Sequence, residues 1–327
     1  MSTLDKSNLR NVILEYPNQL KLGQKFAEDI HLPKENFSNL IICGMGGSAL
    51  PGDLLSGYLQ VASNFSLPVY VSRGYHLPKN ADQSSLIFIS SYSGNTEETI
   101  SCLEEAILLG SKNVSFCAGG KLEQISKENH IPVVKYSIAF ANFQPRFAAT
   151  YAFAAMHQVL TNIGLCSKIE KFPAIDSLSL ENSGQALAKK IKNHTPVIYA
   201  SDKFKALAKN WKIKINENAK TPAFWNYFPE LNHNEMVGFT NPINDFYVIF
   251  LKSENDQPEV KKRMDITRDL YQRKSLPCYE IILKGESYLE EFLFGLSFGD
   301  WVSYYLALEY GQDPTPVDMV EDFKKML

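Results

Sequence analysis

Short, nearly uninterrupted apolar runs alternate along the chain with stretches whose apolar residues recur every three to four positions. Asn39 to Cys43, Leu67 to Val71, Ser85 to Ile89, Asn113 to Cys117 and Ile131 to Val134 have the length and composition of buried strands. Residues 8–30 read as two helical pieces. Leu9 and Ile13 share a face of the first, which should end near Tyr16. Pro17 suits the first turn of the second, where Leu22, Phe26 and Ile30 line up. Helices are also expected from the turn at Gly44–Leu50 to about Leu59, from Thr96 to Leu109, and over 146–165. Residues 166–185, with Phe172-Pro173 and Asn182-Ser183-Gly184, read as a looser connection.

Beyond it the alternation restarts. Pro196–Ala200, Ala223–Trp225, Phe246–Leu251 and Cys278–Leu283 are strand-like, while Lys203–Ala219, Lys261–Lys274 and Ser287–Tyr310 are helical. Asp313-Pro314-Thr315-Pro316 breaks the chain before a last helix, Val317–Met326. Such alternation predicts doubly wound parallel sheets in two α/β domains, 1–165 and 166–327, with an extended C-terminal helical segment. The two halves are of similar size, although no obvious sequence repeat joins them.

Ligands of doubly wound sheets bind at the carboxyl ends of the strands. Two unusual turns stand at such ends. One is Gly44-Met45-Gly46-Gly47-Ser48-Ala49. The other runs from Ser90 to Thr96, with Glu97 and Glu98 in the first turn of the following helix. A helix start offers unpaired N–H groups and the positive end of its dipole, so hydroxyls crowded there make a seat for phosphate. A plain N-cap at Thr96 is the competing reading. Capping needs one hydroxyl, however, and Ser91, Ser93 and Thr96 cluster.

Composition narrows the classes of function. The chain has 327 residues, 45% of them hydrophobic, and a net charge of −3, with no basic tract, which argues against a nucleic-acid partner. Five scattered cysteines form no C-x-x-C pair, so neither a zinc site nor a disulfide framework is suggested. The amino terminus lacks an apolar targeting core. The apolar segment Phe292–Tyr310 contains Asp300 and Glu309 and reads as a buried helix rather than a membrane span. A soluble cytoplasmic protein is expected.

Gly44-x-Gly46-x-x-Ala49 after a strand satisfies a loose dinucleotide fingerprint, so an oxidoreductase has to be weighed. That reading wants an acidic residue about twenty positions on, and none lies between Asp53 and Asp82. Arg73 keeps an NADP enzyme open. Two further stretches, Lys214–Lys220 and Pro229–Phe239, place Glu217 and His233 beside asparagines that can orient an ionisable group without neutralising it. Alone, Glu217 reads as a surface carboxylate and His233 as structural. Together they form a minimal metal-free set for proton transfer.

Gly44-Met-Gly-Gly-Ser48, Ser90-Ser-Tyr-Ser-Gly-Asn-Thr96, Asn216-Glu-Asn-Ala-Lys220 and Pro229-Glu-Leu-Asn-His-Asn-Glu235, taken in order, resemble the bifunctional phosphoglucose/phosphomannose isomerase family, built from two sugar-isomerase (SIS) domains of flavodoxin-like type. The resemblance spans nearly the whole chain. It implies an aldose–ketose isomerase of glycolysis and gluconeogenesis that converts fructose 6-phosphate without metal or cofactor through a cis-enediol. Gly47, Ser48, Ser91, Ser93 and Thr96 would hold the sugar phosphate. Glu217 would move the proton between C1 and C2, and His233, supplied by the partner subunit of a homodimer, would open the ring. Arg146 would stabilise the enediolate, and Lys324, with Lys325 as its rival, would sit by the ring oxygen. The family's mannose activity goes with a small threonine before that lysine; Thr315 is the candidate, and Val317 competes for the place. A non-catalytic phosphosugar sensor would need the phosphate turns but not Glu217, Arg146 and His233 together.

Overall fold

The computed structural model of the chain describes residues 3–326 except Lys34, Ser63, Asn64 and Ala141. The chain forms two compact units: Tyr16–Ala174, and Ile175 onward together with the described residues up to Glu15. The division therefore falls between Ala174 and Ile175 rather than between 165 and 166. The first helix, α1 (Leu9–Leu14), belongs to the second unit because Leu9, Val12 and Ile13 are buried there and the Ile13 carbonyl accepts a hydrogen bond from Ser177, 3.0 Å away.

The amino-terminal unit begins with α2 (Tyr16–Phe26) and continues through β1 (Asn39–Gly44), α3 (Leu50–Ala62), β2 (Val69–Ser72), β3 (Ser85–Ser90), α4 (Glu97–Leu109), β4 (Lys112–Cys117), α5 (Gly120–Glu128), β5 (Val133–Lys135) and α6 (Ala149–Asn162). Its sheet has the order β2-β1-β3-β4-β5, and every pairing is parallel. Every residue of β1 and β3 is buried, which explains why both read as continuous apolar runs rather than alternating ones. Ile41, Cys43, Ile87 and Ile89 join Cys102, Leu103 and Cys117 in one core cluster.

Two features of this unit depart from expectation. α2 turns Gln19, Leu20 and Gly23 inward and leaves Leu22 exposed. Polar residues lie on the packed face because Gln19 bonds Thr150, and Gln24 bonds Gln158, on α6. α5 is a helix that the hydrophobic pattern does not announce, since Leu122 and Ile125 are the apolar residues in its polar sequence.

The carboxy-terminal unit runs through α7 (Ser177–Ile191), β6 (Thr195–Ser201), α8 (Lys205–Ala219), β7 (Phe224–Phe228), β8 (Phe246–Ser253), α9 (Pro258–Arg273), β9 (Cys278–Leu283), α10 (Tyr288–Glu309) and α11 (Asp318–Met326). Its sheet is also parallel throughout, in the order β7-β6-β8-β9. α10 packs against both α7 and α8. The latter part of the segment expected as a loose connection, from Ser177, is helical and belongs to α7. Asn182-Ser183-Gly184 does not break that helix, because Gly184 lies against Trp301 of α10, where a Cβ would stand 2.4 Å from the Trp301 Cβ. The glycine serves close helix packing, not a turn.

Candidate active site

In the amino-terminal unit the neighbours β1 and β3 feed connections that leave in opposite directions, to β2 and to β4, so their carboxyl ends form the topological switch point. Gly44 and Ser90 are register partners there. The two turns that follow are bonded to each other. Ser90 Oγ donates to the Ser48 carbonyl at 2.9 Å, and Ser48 Oγ accepts from the Tyr92 amide at 3.0 Å. Accepting that amide leaves the Ser48 hydroxyl hydrogen available to donate.

In the second turn Thr96 occupies the N-cap position of α4 but does not use its side chain as a cap. Its Oγ1 instead meets Ser91 Oγ at 2.8 Å, and Ser91 Oγ also accepts from the Gly94 amide at 3.1 Å. The hydroxyls therefore form a cluster at the start of a helix, where the dipole favours an anion. Ser91 is buried, whereas Ser93 is exposed on the same turn and accepts from the Asn95 amide at 3.3 Å.

Arg146 lies in a 3-10 turn, Pro145–Phe147, that abuts the first turn. A Cβ on Gly47 would stand 2.7 Å from the Arg146 amide nitrogen, so the two backbones touch and only glycine fits. The guanidinium is almost fully buried, 5.5 Å from the Phe147 ring centroid and 3.2 Å from Gln144 Oε1. Gly47, Ser48, Ser91, Thr96 and Arg146 are thus brought together within one unit. Arg73, the residue that kept a 2′-phosphate reading open, pairs with Asp53 of α3 at 2.5 Å.

In the carboxy-terminal unit Glu217 stands on the last turn of α8. It lines a cleft of about 700 Å³ with Lys212, Asn216, Lys220, Asp313 and Val317. Lys220 closes the helix in a left-handed conformation, and its Nζ donates to the carbonyls of Glu217, Asn218 and Asp313 at 2.9, 3.0 and 2.7 Å. A cation there suits the negative end of the helix. The flanking asparagines build the scaffold: Asn216 Oδ1 accepts from the Ala223 amide at 2.9 Å, and Asn218 Nδ2 donates to Ser303 Oγ at 2.9 Å. One turn earlier on α8, Lys214 pairs with Asp300 of α10 at 2.6 Å, both fully buried. These polar contacts hold the face that α8 turns toward the cleft, and in the sequence they show only as a charged residue inside each of two apolar helix faces.

His233 ends a 3-10 turn, Glu230–His233, and is exposed. Lys324 and Lys325 are not among the residues that line this cleft. Each is exposed on α11 and pairs one turn back, with Glu321 at 2.7 Å and Asp322 at 2.8 Å. Of the competing specificity positions, Val317 lines the cleft and Thr315 is buried. Among the described residues no group of three or more His, Cys, Asp or Glu side chains is placed to hold a metal ion, and no helix is long and apolar enough to cross a membrane.

Residues 180–327 match the family model for the bacterial phospho-glucose isomerase C-terminal SIS domain. A bifunctional phosphoglucose/phosphomannose isomerase of Aquifex aeolicus is 37% identical over 309 residues, 92% of this chain and 93% of that protein. The enzyme of the same name from Caldicellulosiruptor bescii is 32% identical over 335 residues, covering 96% and 97%. In fold, the chain superposes on the C-terminal domain of glucosamine-fructose-6-phosphate aminotransferase from Francisella tularensis with a TM-score of 0.72 at 15% identity, over 96% of this chain and 100% of that one. A likeness of 32–37% identity over more than nine-tenths of both chains places this chain in the bifunctional phosphoglucose/phosphomannose isomerase family.

Proposed function

We propose that the protein interconverts fructose 6-phosphate with glucose 6-phosphate and mannose 6-phosphate, as a cytoplasmic homodimer in glycolysis and gluconeogenesis, through a cis-enediol and without a metal or cofactor. The observation that carries this reading is the convergence of Ser48, Ser91, Thr96 and Arg146 at one switch point, with the Thr96 hydroxyl turned to Ser91 instead of capping its helix. The hydroxyls and the helix start would seat the dianionic phosphate.

The chemistry then needs two proton movements. His233, contributed by the other subunit, takes the proton of the anomeric hydroxyl and delivers one to the ring oxygen, which breaks the C–O ring bond. The exposed imidazole on its turn is suited to serve a site outside its own surroundings. In the open-chain ketose the Glu217 carboxylate removes a proton from C1. The C1–H bonding pair becomes the second C1–C2 bond of the enediol while the carbonyl π pair moves onto O2, whose negative charge Arg146 would stabilise. Return of the proton to C2 gives the aldose, and the face of C2 that receives it decides between glucose and mannose. Lys324 would assist at the ring oxygen.

The test is turnover of fructose 6-phosphate in EDTA with separate detection of both aldose phosphates. Both products are expected. Glu217→Gln should still bind the phosphosugar while losing at least about 10²-fold in kcat. An active Glu217→Gln enzyme removes that residue from its role. Binding without turnover in the parent protein replaces the enzyme with a phosphosugar sensor.

A further inference from the structure

The turn that carries His233 is short, irregular and pinned at three places. Leu231 is fully buried in the core cluster around β6 and β8. Asn232 Nδ2 donates to Thr267 Oγ1 of α9 at 2.8 Å. Two residues beyond His233, the Glu235 carboxylate is gripped by two donors from the sheet. Tyr199 Oη of β6 donates to Oε1 at 2.5 Å, and Asn226 Nδ2 of β7 donates to Oε2.

Those two donors form a prepared receptor. Tyr199 and Asn226 are register partners across the parallel β6–β7 pair, so their side chains rise from the same face of the sheet. Tyr199 is fully buried, and its ring packs edge-on to Phe228 and Phe250. The orientation of Asn226 is fixed as well, because its Oδ1 accepts from the Tyr227 amide at 2.8 Å. Burial drives the Tyr199 hydroxyl far above its ordinary pKa, so it stays a donor throughout the physiological range. Charge-assisted bonds from two fixed donors are strong and directional.

We propose that Glu235 is the positioning residue of His233: its carboxylate, held by Tyr199 and Asn226, sets where the turn presents the imidazole. The proposal rests on the assignment of His233 to ring opening. Glu235 itself touches no reacting atom. Its effect is confined to the step that His233 performs, whereas a residue needed only for folding would weaken every step alike.

Two substrates separate these cases. Fructose 6-phosphate must be opened. Its 5-deoxy analogue lacks the hydroxyl that closes the furanose, and its O6 carries the phosphate, so it stays an open-chain ketose that needs only the enediol step. His233→Ala is expected to cut kcat on fructose 6-phosphate by about 10²-fold or more and to spare the analogue. Glu235→Ala should show the same selectivity with a loss of roughly tenfold, and Tyr199→Phe, which removes one of the two donors and keeps the buried ring, a loss of roughly fivefold. Glu235→Gln should recover most of the activity, since its amide oxygen can accept from Asn226 while its NH2 faces the Tyr199 oxygen.

If His233→Ala is selective while the Glu235 and Tyr199 variants slow both substrates equally or neither, the positioning role is overturned and ring opening by His233 stands. If His233→Ala itself is not selective, the ring-opening assignment fails and the proposal fails with it. Should Glu235→Ala not fold, Tyr199→Phe and Glu235→Gln carry the comparison.

Discussion

Gly47→Ala tests the backbone contact on which the Gly44–Ala49 turn and its proposed phosphate seat depend. The added Cβ would lie 2.7 Å from the Arg146 nitrogen, 2.9 Å from its Cα and 2.9 Å from the Pro145 carbonyl carbon. All three atoms are backbone, so no side-chain rotation relieves the clash. Ordinary contact begins near 3.4 Å, so the two turns must separate by about 0.7 Å. Forced overpacking of this kind costs about 1–3 kcal/mol of stability. The kinetic effect should be larger than the stability suggests, because Ser48 and Arg146 move apart, and misplacement by ~1 Å of groups that position a substrate can cost 10²-fold. The assay is steady-state isomerisation of fructose 6-phosphate alongside thermal unfolding. A fall in kcat/KM of ten- to a hundredfold is expected, roughly, with a measurable drop in the unfolding midpoint. An alanine variant with parental kinetics would refute the claim that the two backbones must touch for the site to form.

Two other buried groups give predictions of a different kind. His157 is buried on α6 with its Nε2 3.5 Å from Cys166 Sγ, and burial lowers its pKa from 6.5 to about 4. The folded state therefore binds its proton later than the unfolded chain does, so stability present above pH 6.5 is lost as pH falls toward 4, by up to about 3 kcal/mol. Denaturant titrations of the parent and His157→Gln over that window should show the parent losing stability more steeply, and parallel curves would reject the assignment. For the Lys214–Asp300 pair, Asp300→Ala takes the carboxylate from a buried ammonium and should cost about 3–5 kcal/mol, while the double replacement by methionine and leucine should restore most of that stability. If the two variants are equally destabilised, the uncompensated buried charge is not the source of the loss.

What the sequence conveys about this molecule follows from how far each signal travels along the chain. β1 and β3 are legible because a strand buried on both faces must be apolar at every position, and the glycine and hydroxyl turns after them are legible because their residues are contiguous. α5 is not, since a short surface helix needs only Leu122 and Ile125 to anchor it. α7 is hidden because Gly184 carries the same letter whether it ends a helix or lets one lie against Trp301, and only the partner tells the two apart. Thr96 poses the same difficulty. A threonine that caps its helix and one that turns its hydroxyl to a neighbouring serine have one sequence, and only the folded turn separates them. Glu235 lies inside a recognisable motif, yet its receptor is assembled from two strands that precede it, so its neighbours in sequence do not reveal what it holds.

The same principle explains why two similar sheets should yield a single phosphate seat per chain. The carboxy-terminal sheet has its own switch point, where β6 and β8 lie side by side. Hydroxyls stand there too, but the chain's own carboxylates use them. Ser201 Oγ donates to Asp256 Oδ1 at 2.7 Å, and Ser253 Oγ donates to Glu291 Oε1 at 2.5 Å, with Lys203 3.7 Å from the same glutamate. Asp256 and Glu291 are both buried, and burial raises the pKa of Asp256 above the ordinary aspartate range. An arriving phosphate would have to displace two carboxylates from their donors and then sit beside them, so the like charges and the lost bonds both oppose it. Calorimetric titration with a phosphosugar should therefore reach one equivalent per chain, and Ser48→Ala should weaken that binding while Ser201→Ala leaves its affinity unchanged. Two equivalents per chain, or binding lost on replacing Ser201, would show that the second switch point takes phosphate after all.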